Sequence, residues 1–378
     1  PAAVSRAGGV YLTPINVKPR AVCDAAWLIR VSPPIVWLKR HTAHRVDCMA
    51  LSELVNTFGT DLLRRYGRRV HKLAIHAGLS CPNRDGSKGR GGCSFCNNVS
   101  FSPGARAGGA AEPPIPITEQ IAAGRSVVQK RTGAVRFLAY FQAYTNTYAD
   151  VERLAGLYRE ALAEPDVIGL SVGTRPDCVP DAVLDLLAGF RAEGYEVWLE
   201  LGLQSAADST LARVNRGHGF ADYRRAVRAA RLRGLPVCTH LIVGLPGEGR
   251  DSALASLDRV LELGVDGLKL HPLHVVKQTM LARDWRDGRY RPLAMDEYID
   301  IAADLIERTP ADIVYHRVTG TATRDILLAP DWCSKKWAVL NGIENELLRR
   351  GSRQGMRADA PAWLDADAAP GARVVAGC

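Results

Sequence analysis

The hydrophobic positions of the chain follow two alternating patterns over its middle part. Short apolar runs, most of them nearly continuous, are typical of parallel strands that are buried on both faces. These runs are Val70–His76, Val135–Gln142, Val167–Thr174, Tyr195–Gly202, Val237–Gly244, Gly267–Leu273 and Asp312–His316. Segments with the spacing of amphipathic helices lie between them, namely Val151–Ala163, Asp181–Glu193, Phe220–Arg233, Ser252–Leu263 and Asp296–Glu307. This regular alternation predicts an α/β fold that is built on a parallel sheet.

The number of strand–helix units separates two parallel architectures. Six or seven units are present, and polar residues repeatedly end the strands, which favours a partial or complete parallel (β/α) barrel over a doubly wound sheet. We therefore expect the functional groups at the carboxyl ends of the strands. The predicted organisation is a barrel domain over residues 49–316, a helical extension over residues 317–357 with a helix at Lys335–Arg350, and a frayed tail over residues 358–378.

Composition narrows the class of protein further. The 378 residues are 47% hydrophobic and 24% charged, which excludes a disordered protein, a disulfide-rich miniprotein and a coiled coil. No apolar run reaches the roughly 18 residues that a membrane span requires, so we expect a cytoplasmic protein with no membrane partner. The nine cysteines are an odd number, and three of them lie together in a glycine-rich stretch. This pattern suits a metal site in a reducing compartment better than a set of disulfides.

Positive charge is concentrated in the opening segment. The net charge of the chain is +9, of which residues 1–48 carry +5. This segment is broken by prolines and shows no clear periodicity, so we expect it to be disordered or to come from an over-extended start. We favour Met49 as the natural start, because regular patterning begins directly after it. An Arg-rich transit peptide is the alternative.

The strongest chemical signal is a cysteine-rich loop that follows the first predicted strand. Cys81, Cys93 and Cys96 have the spacing C-x11-C-x2-C, and the glycines between them allow the loop to fold tightly around a metal centre. A cubane iron–sulfur cluster held by three thiolates leaves one iron open, where a substrate or a cofactor can chelate. The alternatives are a structural zinc site completed by His76 or His71, and three unrelated buried thiols. The density of cysteines in a barrel context favours the iron–sulfur cluster.

A three-cysteine loop after the first strand of a parallel barrel, with the aromatic Phe95 just before the last cysteine, resembles the radical S-adenosylmethionine (SAM) enzymes. The usual spacing is C-x3-C-x2-C, and the long first gap is similar to the branch that includes the elongator catalytic subunit. A bacterial radical SAM family near that branch is more similar still, from about Met49 to Gly355. The shared stretches are Arg65-Tyr-Gly-Arg-Arg-Val-His-Lys, Gly173-Thr-Arg-Pro-Asp-Cys178, Glu200-Leu-Gly-Leu-Gln-Ser205, Asn215-Arg-Gly-His218, Thr239-His-Leu-Ile-Val-Gly-Leu-Pro-Gly247 and Lys335-Lys-Trp-Ala-Val-Leu-Asn341. His76 departs from the pattern, because this family is expected to have Asp at that position.

The resemblance implies a pair of cofactors and a mechanism. A [4Fe–4S] cluster on the three cysteines would chelate SAM, and an electron donor such as flavodoxin or ferredoxin would supply the electron that cleaves the sulfonium bond. The resulting 5′-deoxyadenosyl radical abstracts hydrogen from the substrate. The resemblance places Phe95 near the adenine and Glu200 on the ribose. It places Gln204 and Arg216 near SAM, and His240 where related enzymes often carry a polar SAM contact.

Polar residues at the ends of the second and third predicted strands supply further SAM-binding candidates. The Gly-Gly-Glu that usually receives the SAM amino group is missing after the second strand, and its substitute is Gln142, Tyr144 or Asn146, of which we assign Gln142. Ser171, Thr174 and Arg175 end the third strand, and we assign them to cofactor binding as well. A guanidinium can bind a carboxylate or a phosphate through two hydrogen bonds. Arg175 could equally pair with Asp177 and hold the turn.

Two groups of residues are candidates for contact with the substrate. The first group is Lys269, His271 and His274 near the sixth strand, with Lys277 beyond, and a solvated rim is the alternative. The second group precedes the first strand and would form a stripe with i,i+4 spacing if it is helical: Arg64, Arg65, Arg68 and Arg69. Basic stripes suit contacts with phosphates, although a solvated face is the usual alternative.

These observations leave three hypotheses for function. The first is a radical SAM enzyme that modifies a tRNA base, which the elongator-like resemblance favours. The second is a radical SAM enzyme that acts on a small metabolite or on a protein side chain. The third is a zinc-binding nucleic-acid protein without enzymatic activity.

Overall fold

The computed structural model describes residues 51–97 and 115–358. The predictions for residues 1–48 and for the tail beyond residue 358 lie outside these ranges. In the described part of the chain, no helix is both long enough and apolar enough to cross a lipid bilayer.

Nine strands are present in the described part of the chain, and seven of them form one parallel sheet. The strands are β1 (Val70–Ile75), β2 (Arg136–Phe141), β3 (Val167–Thr174), β4 (Glu196–Gln204), β5 (Val237–Val243), β6 (Gly267–Pro272), β7 (Val275–Val276), β8 (Val314–Arg317) and β9 (Leu327–Ala329). The order in the sheet is β1-β2-β3-β4-β5-β6-β8, and β7 pairs with β9 in an antiparallel ribbon. The sheet curls into a half-barrel, so the predicted α/β fold is confirmed in its partial form.

Eleven helices accompany the strands in the described ranges. They are α1 (Leu51–Leu54), α2 (Phe58–Tyr66), α3 (Ile117–Thr132), α4 (Val151–Leu162), α5 (Asp181–Ala192), α6 (Asp208–Arg213), α7 (Phe220–Arg231), α8 (Arg250–Leu261), α9 (Met280–Arg286), α10 (Met295–Arg308) and α11 (Lys336–Arg349). The six predicted helices correspond to α4, α5, α7, α8, α10 and α11. Helix α3 was not predicted from the sequence, because only Ile117 and Ile121 along its length are buried and they make a weak apolar stripe.

Side chains of β4 show how the sheet separates two environments. Leu199, Leu201 and Leu203 are fully buried in the main apolar core, where each contributes about 2 kcal/mol of burial. Because side chains alternate along a strand, Trp198 and Glu200 point to the opposite face, into the interior of the half-barrel. Glu200 is therefore a charged residue in the buried interior, where an unpaired charge would cost free energy.

Helix α2 seals the end of the half-barrel at which the strands begin. Phe58 stacks on His316 with ring centroids 3.9 Å apart and meets Trp198 edge to face at 5.4 Å. Gly67 follows the helix and caps its C-terminal end with a left-handed backbone conformation, at a φ of 65°. The open end of the half-barrel is thus the one where the strands finish, as the sequence predicted for the functional groups.

The predicted basic stripe does not exist as a helical face. Helix α2 ends at Tyr66, so Arg68 and Arg69 lie outside it. Arg64 and Arg65 both bind Asp61, and Arg65 also binds Glu196 through two hydrogen bonds of 2.7 Å. The group lies next to the start of β1, at the end of the half-barrel opposite the carboxyl ends of the strands. Arg65 therefore has a structural role, because it links α2 to β4.

Candidate active site

The cysteine loop follows β1 and is fastened to the segment between α6 and α7. The side-chain amide of Asn215 donates to the carbonyl of Gly92 at 2.8 Å, and the backbone N–H of Ser94 donates to the carbonyl of Val214 at 3.0 Å. Gly92 has a φ of 80°, a conformation that glycine adopts without strain. Asn215 itself has a φ of 52°, so the backbone is strained at the residue that binds the cysteine loop.

The three loop cysteines face one cavity at the carboxyl ends of the strands. Cys81, Cys93 and Cys96 are all free thiols. Neither His71 nor His76 lines this cavity, so the zinc alternative with one of those histidines is not what the fold assembles. Three thiolates without a fourth protein ligand are the donor set of a [4Fe–4S] cluster with an open iron.

Arg216 supplies positive charge to this sulfur-rich loop. Its Nη1 lies 3.4 Å from the sulfur of Cys93, and its Nη2 donates to the carbonyl of Gly202 at 2.5 Å. A Cβ atom on Gly202 would lie 2.9 Å from that Nη2, so the absence of a side chain there allows the guanidinium to approach β4. A buried N–H donor and a positive charge next to sulfur stabilise an anionic cluster.

Most of the residues that the sequence singled out are brought together around this cavity. The predicted cofactor-binding residues that line it are Phe95, Gln142, Thr174, Arg175, Gln204, Arg216 and His240. The predicted substrate residues Lys269 and His271 line it too. Their individual roles remain predictions, but their placement in one cavity is what a shared site requires.

A polar network forms the floor of the cavity, and each strand of the half-barrel contributes one member. We call it the Glu200 network: Lys72 from β1, Tyr140 from β2, Ser171 from β3, Glu200 from β4, His240 from β5, Lys269 from β6 and His316 from β8. One oxygen of Glu200 accepts from Lys72 and Ser171, and lies 3.4 Å from His316 Nδ1. The other oxygen lies 2.6 Å from His240 Nε2 and 3.1 Å from Lys269 Nζ.

The electrostatics of the floor follow from burial and from the charges around Glu200. Burial alone would raise the pKa of Glu200, but the ammonium groups of Lys269 and Lys72 hold it well below its ordinary value. Burial lowers the pKa of Lys269 to about 8, against the opposing effect of Glu200. Burial and the charge of Lys269 lower the pKa of His240 to about 4. Near neutral pH the floor therefore combines a carboxylate with ammonium groups and a neutral imidazole.

Two of the predicted cofactor contacts, Glu200 and Ser171, belong to the floor network and do not line the cavity. Both are fully buried, and Ser171 donates its hydroxyl proton to Glu200. Because both carboxylate oxygens of Glu200 already have protein partners, this placement does not favour the predicted contact with the ribose. His240, in contrast, both lines the cavity and binds Glu200, so it belongs to the cavity wall and to the floor network.

Arg175 forms the ion pair with Asp177 that the sequence analysis left open as an alternative. Its guanidinium binds both carboxylate oxygens of Asp177, at 2.9 and 3.0 Å, and donates to the carbonyl of Arg216 at 2.8 Å. Lys88 also binds Asp177 at 2.5 Å. Arg175 thus holds the turn after β3 and supports Arg216 in place, although it also lines the cavity.

Several residues of the site were not singled out as site residues by the sequence analysis. Tyr140 and Arg317 line the cavity, and Lys72 and His316 complete the floor. The available signal was a charged residue inside an apolar strand, as in Val70-His-Lys-Leu-Ala-Ile75, because such a residue needs a buried partner.

The half-barrel, its cysteine loop and the cavity at the strand ends are the parts of an enzyme that binds an iron–sulfur cluster. The chain belongs to the radical SAM superfamily, whose domain matches residues 85–260, and a Radical_SAM C-terminal domain matches residues 265–349. A relative is Protein YhcC of Escherichia coli (strain K12), which is 51% identical over 316 residues, covering 84% of this chain and 99% of that protein. The cofactors of the family are a [4Fe–4S] cluster and SAM, and its members are enzymes.

Two other similarities connect the chain to the elongator-like branch. It is 33% identical over 159 residues to a tRNA uridine(34) acetyltransferase of Dehalococcoides mccartyi (strain CBDB1), a match that covers 41% of this chain and 34% of that protein. The structure of Methanocaldococcus infernus Elp3 with an N-terminal deletion is similar with a TM-score of 0.52 and 18% identity, covering 75% of this chain and 64% of that one. At this identity the structural match shows the shared fold, and together the matches confirm the predicted family and branch.

Proposed function

We propose that this radical SAM enzyme modifies a base in tRNA. The observation that supports the proposal is the similarity to the tRNA uridine(34) acetyltransferase, which extends over 159 residues. The net charge of +9 agrees with a polyanionic partner. A single electron would come from a flavodoxin or a ferredoxin.

The residues of the cavity would have separate roles. Cys81, Cys93 and Cys96 would hold the cluster, and Arg216 would stabilise its negative charge through the contact with Cys93. When bound, the cluster and SAM together supply one-electron radical chemistry. The Glu200 network fixes the positions of the groups on the cavity floor, so that they need not reorganise when ligands enter.

The position of the cavity constrains the form of an RNA substrate. The cysteines and the floor lie at the carboxyl ends of the strands, inside the curl of the sheet, where a base within a stacked helix cannot reach. Enzymes that act on such bases use unpaired nucleotides or turn the target nucleotide out of the stack. We therefore expect a nucleotide of a tRNA loop as the target.

The experiment that tests this function compares modified nucleosides of tRNA from a deletion strain and its parent by mass spectrometry. One nucleoside should disappear or be replaced by its precursor, and expression of the wild-type chain should restore it. The matched control is the Cys96→Ala variant, which should not restore it. Unchanged nucleosides in the deletion strain would overturn the RNA proposal and favour a small metabolite or a protein side chain as substrate.

A further inference from the structure

The wall of the cavity contains five cationic side chains, and four of them have partners inside the protein. The partnered pairs are Arg84 with the carbonyl of Cys96, Arg175 with Asp177, Arg216 with the carbonyl of Gly202, and Lys269 with Glu200. Arg317 is the fifth. Across residues 51–97 and 115–358, no hydrogen bond or ion pair engages its guanidinium. A guanidinium without a protein acceptor has all its N–H donors available to an anionic ligand that enters the cavity.

The register of the sheet places Arg317 beside Lys269. Residue Leu268 of β6 lies opposite Tyr315 of β8, but the register then shifts and Lys269 lies opposite Arg317. Lys269 is buried whereas Arg317 is only half-buried, so the guanidinium of Arg317 lies nearer the mouth of the cavity than the ammonium group of Lys269.

The acids that pair with Arg175 and Lys269, which are Asp177 and Glu200, lie behind the wall of the cavity. None of the described residues that line the cavity is Asp or Glu. Burial, followed by the charge of Arg317, lowers the pKa of His274 to about 4 and that of His271 well below its ordinary value. The imidazoles therefore stay neutral and act as hydrogen-bonding groups around a fixed positive charge.

We propose that Arg317 is an oxyanion subsite that receives a phosphate of the target nucleotide at the mouth of the cavity. This inference rests on the proposed function, because a nucleotide turned out of an RNA loop carries its own phosphate into the mouth. A guanidinium is suited to phosphate, which it binds through two parallel hydrogen bonds. The resemblance implies that the carboxylate of SAM would chelate the open iron of the cluster, which would leave Arg317 available for a second anion.

The positive surface continues from Arg317 to the rim. Lys336 is exposed at the start of α11, and partial desolvation of its ammonium group, followed by the charge of Arg317, lowers its pKa. Its Nζ lies 5.6 Å from the centre of the Trp337 ring, which is 71% exposed. A cation beside an exposed aromatic ring offers the next nucleotide a phosphate contact and a surface on which its base can stack.

The first test measures tRNA binding by the cluster-loaded protein over a range of salt concentrations. The variants are Arg317→Gln and Arg317→Lys, and the control is Arg159→Gln, which removes an exposed arginine on the outer face of α4. Loss of one phosphate contact should raise the Kd of Arg317→Gln about tenfold at low salt and reduce the log–log salt slope by roughly one. Arg317→Lys should keep the slope, and Arg159→Gln should match the wild type. An Arg317→Gln variant with the wild-type Kd and slope would overturn the subsite.

The second test does not depend on RNA. Phenylglyoxal labels accessible arginines of the cluster-loaded protein. Peptide mass spectrometry measures the labelled fraction of Arg317, and Arg159 is the internal control. Inorganic phosphate should slow the labelling of Arg317 at concentrations that leave Arg159 unchanged. Slowing by acetate but not by phosphate would overturn the phosphate assignment, and no slowing by either would overturn the subsite. If the wild type binds no tRNA but phosphate protects Arg317, the proposed RNA function fails while the anion subsite stands.

Discussion

Lys72 on β1 and Glu200 on β4 form an ion pair across the interior of the half-barrel. Lys72 Nζ also lies 2.9 Å from Nδ1 of His316 on β8. Strands β1 and β8 are the two edges of the sheet and are not neighbours in it. The edges of the open half-barrel are therefore joined by side chains that meet on one carboxylate, where a complete barrel would use backbone hydrogen bonds.

Replacing this carboxylate should be strongly destabilising. Glu200→Gln keeps the shape of the side chain but leaves Lys72 and Lys269 buried without their counter-charge. Removing one partner of a buried ion pair costs about 3–5 kcal/mol in the free energy of unfolding. Urea denaturation of the cluster-loaded protein measures this change.

The matched control for that substitution is Glu297→Gln. Glu297 pairs with Arg291 at 2.9 Å, but its side chain is 39% exposed. Pairs of this kind contribute about 0–1 kcal/mol. Equal losses in the two variants would show that the ion pairs of the Glu200 network do not stabilise the fold beyond an ordinary surface pair.

The buried His274 should make stability depend on pH. Its pKa is about 4 in the folded protein and 6.5 in its ordinary state, so the unfolded chain takes up the proton first as pH falls. The contribution of neutral His274 is complete above pH 6.5 and is lost as pH falls toward 4. Between about pH 7 and pH 5 this costs about 2 kcal/mol. His274→Gln should remove that part of the pH dependence, as measured by urea midpoints, whereas an unchanged dependence would contradict burial of the neutral ring.

Each of the three loop cysteines should be required for the cluster. Cys81→Ala, Cys93→Ala and Cys96→Ala should each abolish iron binding and the formation of 5′-deoxyadenosine, because no other described cysteine lines the cavity. Iron analysis and chromatography after anaerobic reconstitution check this. Cys333→Ala is the control, since Cys333 lies in the apolar core, and it should bind iron like the wild type. Normal iron content and turnover in any loop variant would refute the assignment.

Arg216 should tune the cluster through its contact with Cys93. The positive charge and the N–H donor at 3.4 Å from the sulfur favour the reduced, more negative form of a cluster. Arg216→Gln should therefore shift the reduction potential to a more negative value, and a redox titration followed by electron paramagnetic resonance measures the shift. Arg213→Gln, which removes a neighbouring arginine bound to the carbonyl of Pro246, is the control. A potential that does not move would assign Arg216 to packing alone.

Much of the fold and of the site could be predicted because both follow local rules. Continuous apolar runs identified the seven strands of the half-barrel, and polar residues at their ends identified most of the cavity wall. The loop cysteines were found from their spacing, and the cavity indeed gathers all three. These features depend on residues that are near one another in the chain or at equivalent positions of successive units.

The remaining features depend on partners that are far apart in the sequence. Lys72 follows a run of basic residues in the chain, but its partner Glu200 is 128 positions away. Arg65 was placed in the predicted basic stripe, and Glu196 binds it from a similar distance along the chain. Arg317 could not be recognised as a site residue from the sequence. What distinguishes it is the lack of a hydrogen-bond acceptor among the described residues, and this shows only in the structure. Pairing of this kind becomes visible only when the strands are assembled.

The convergence of seven strands on one carboxylate has a consequence for how this half-barrel comes apart. Five side chains from five strands surround the buried carboxylate of Glu200, and each strand that withdraws its member weakens the compensation of that charge, so the cavity floor behaves as one cooperative unit. Partial melting of a single strand–helix unit, which an open sheet would otherwise allow, is discouraged at the depth where the cofactors bind. The floor of the site should then resist hydrogen exchange up to the point of global unfolding, even while the outer helices open and close.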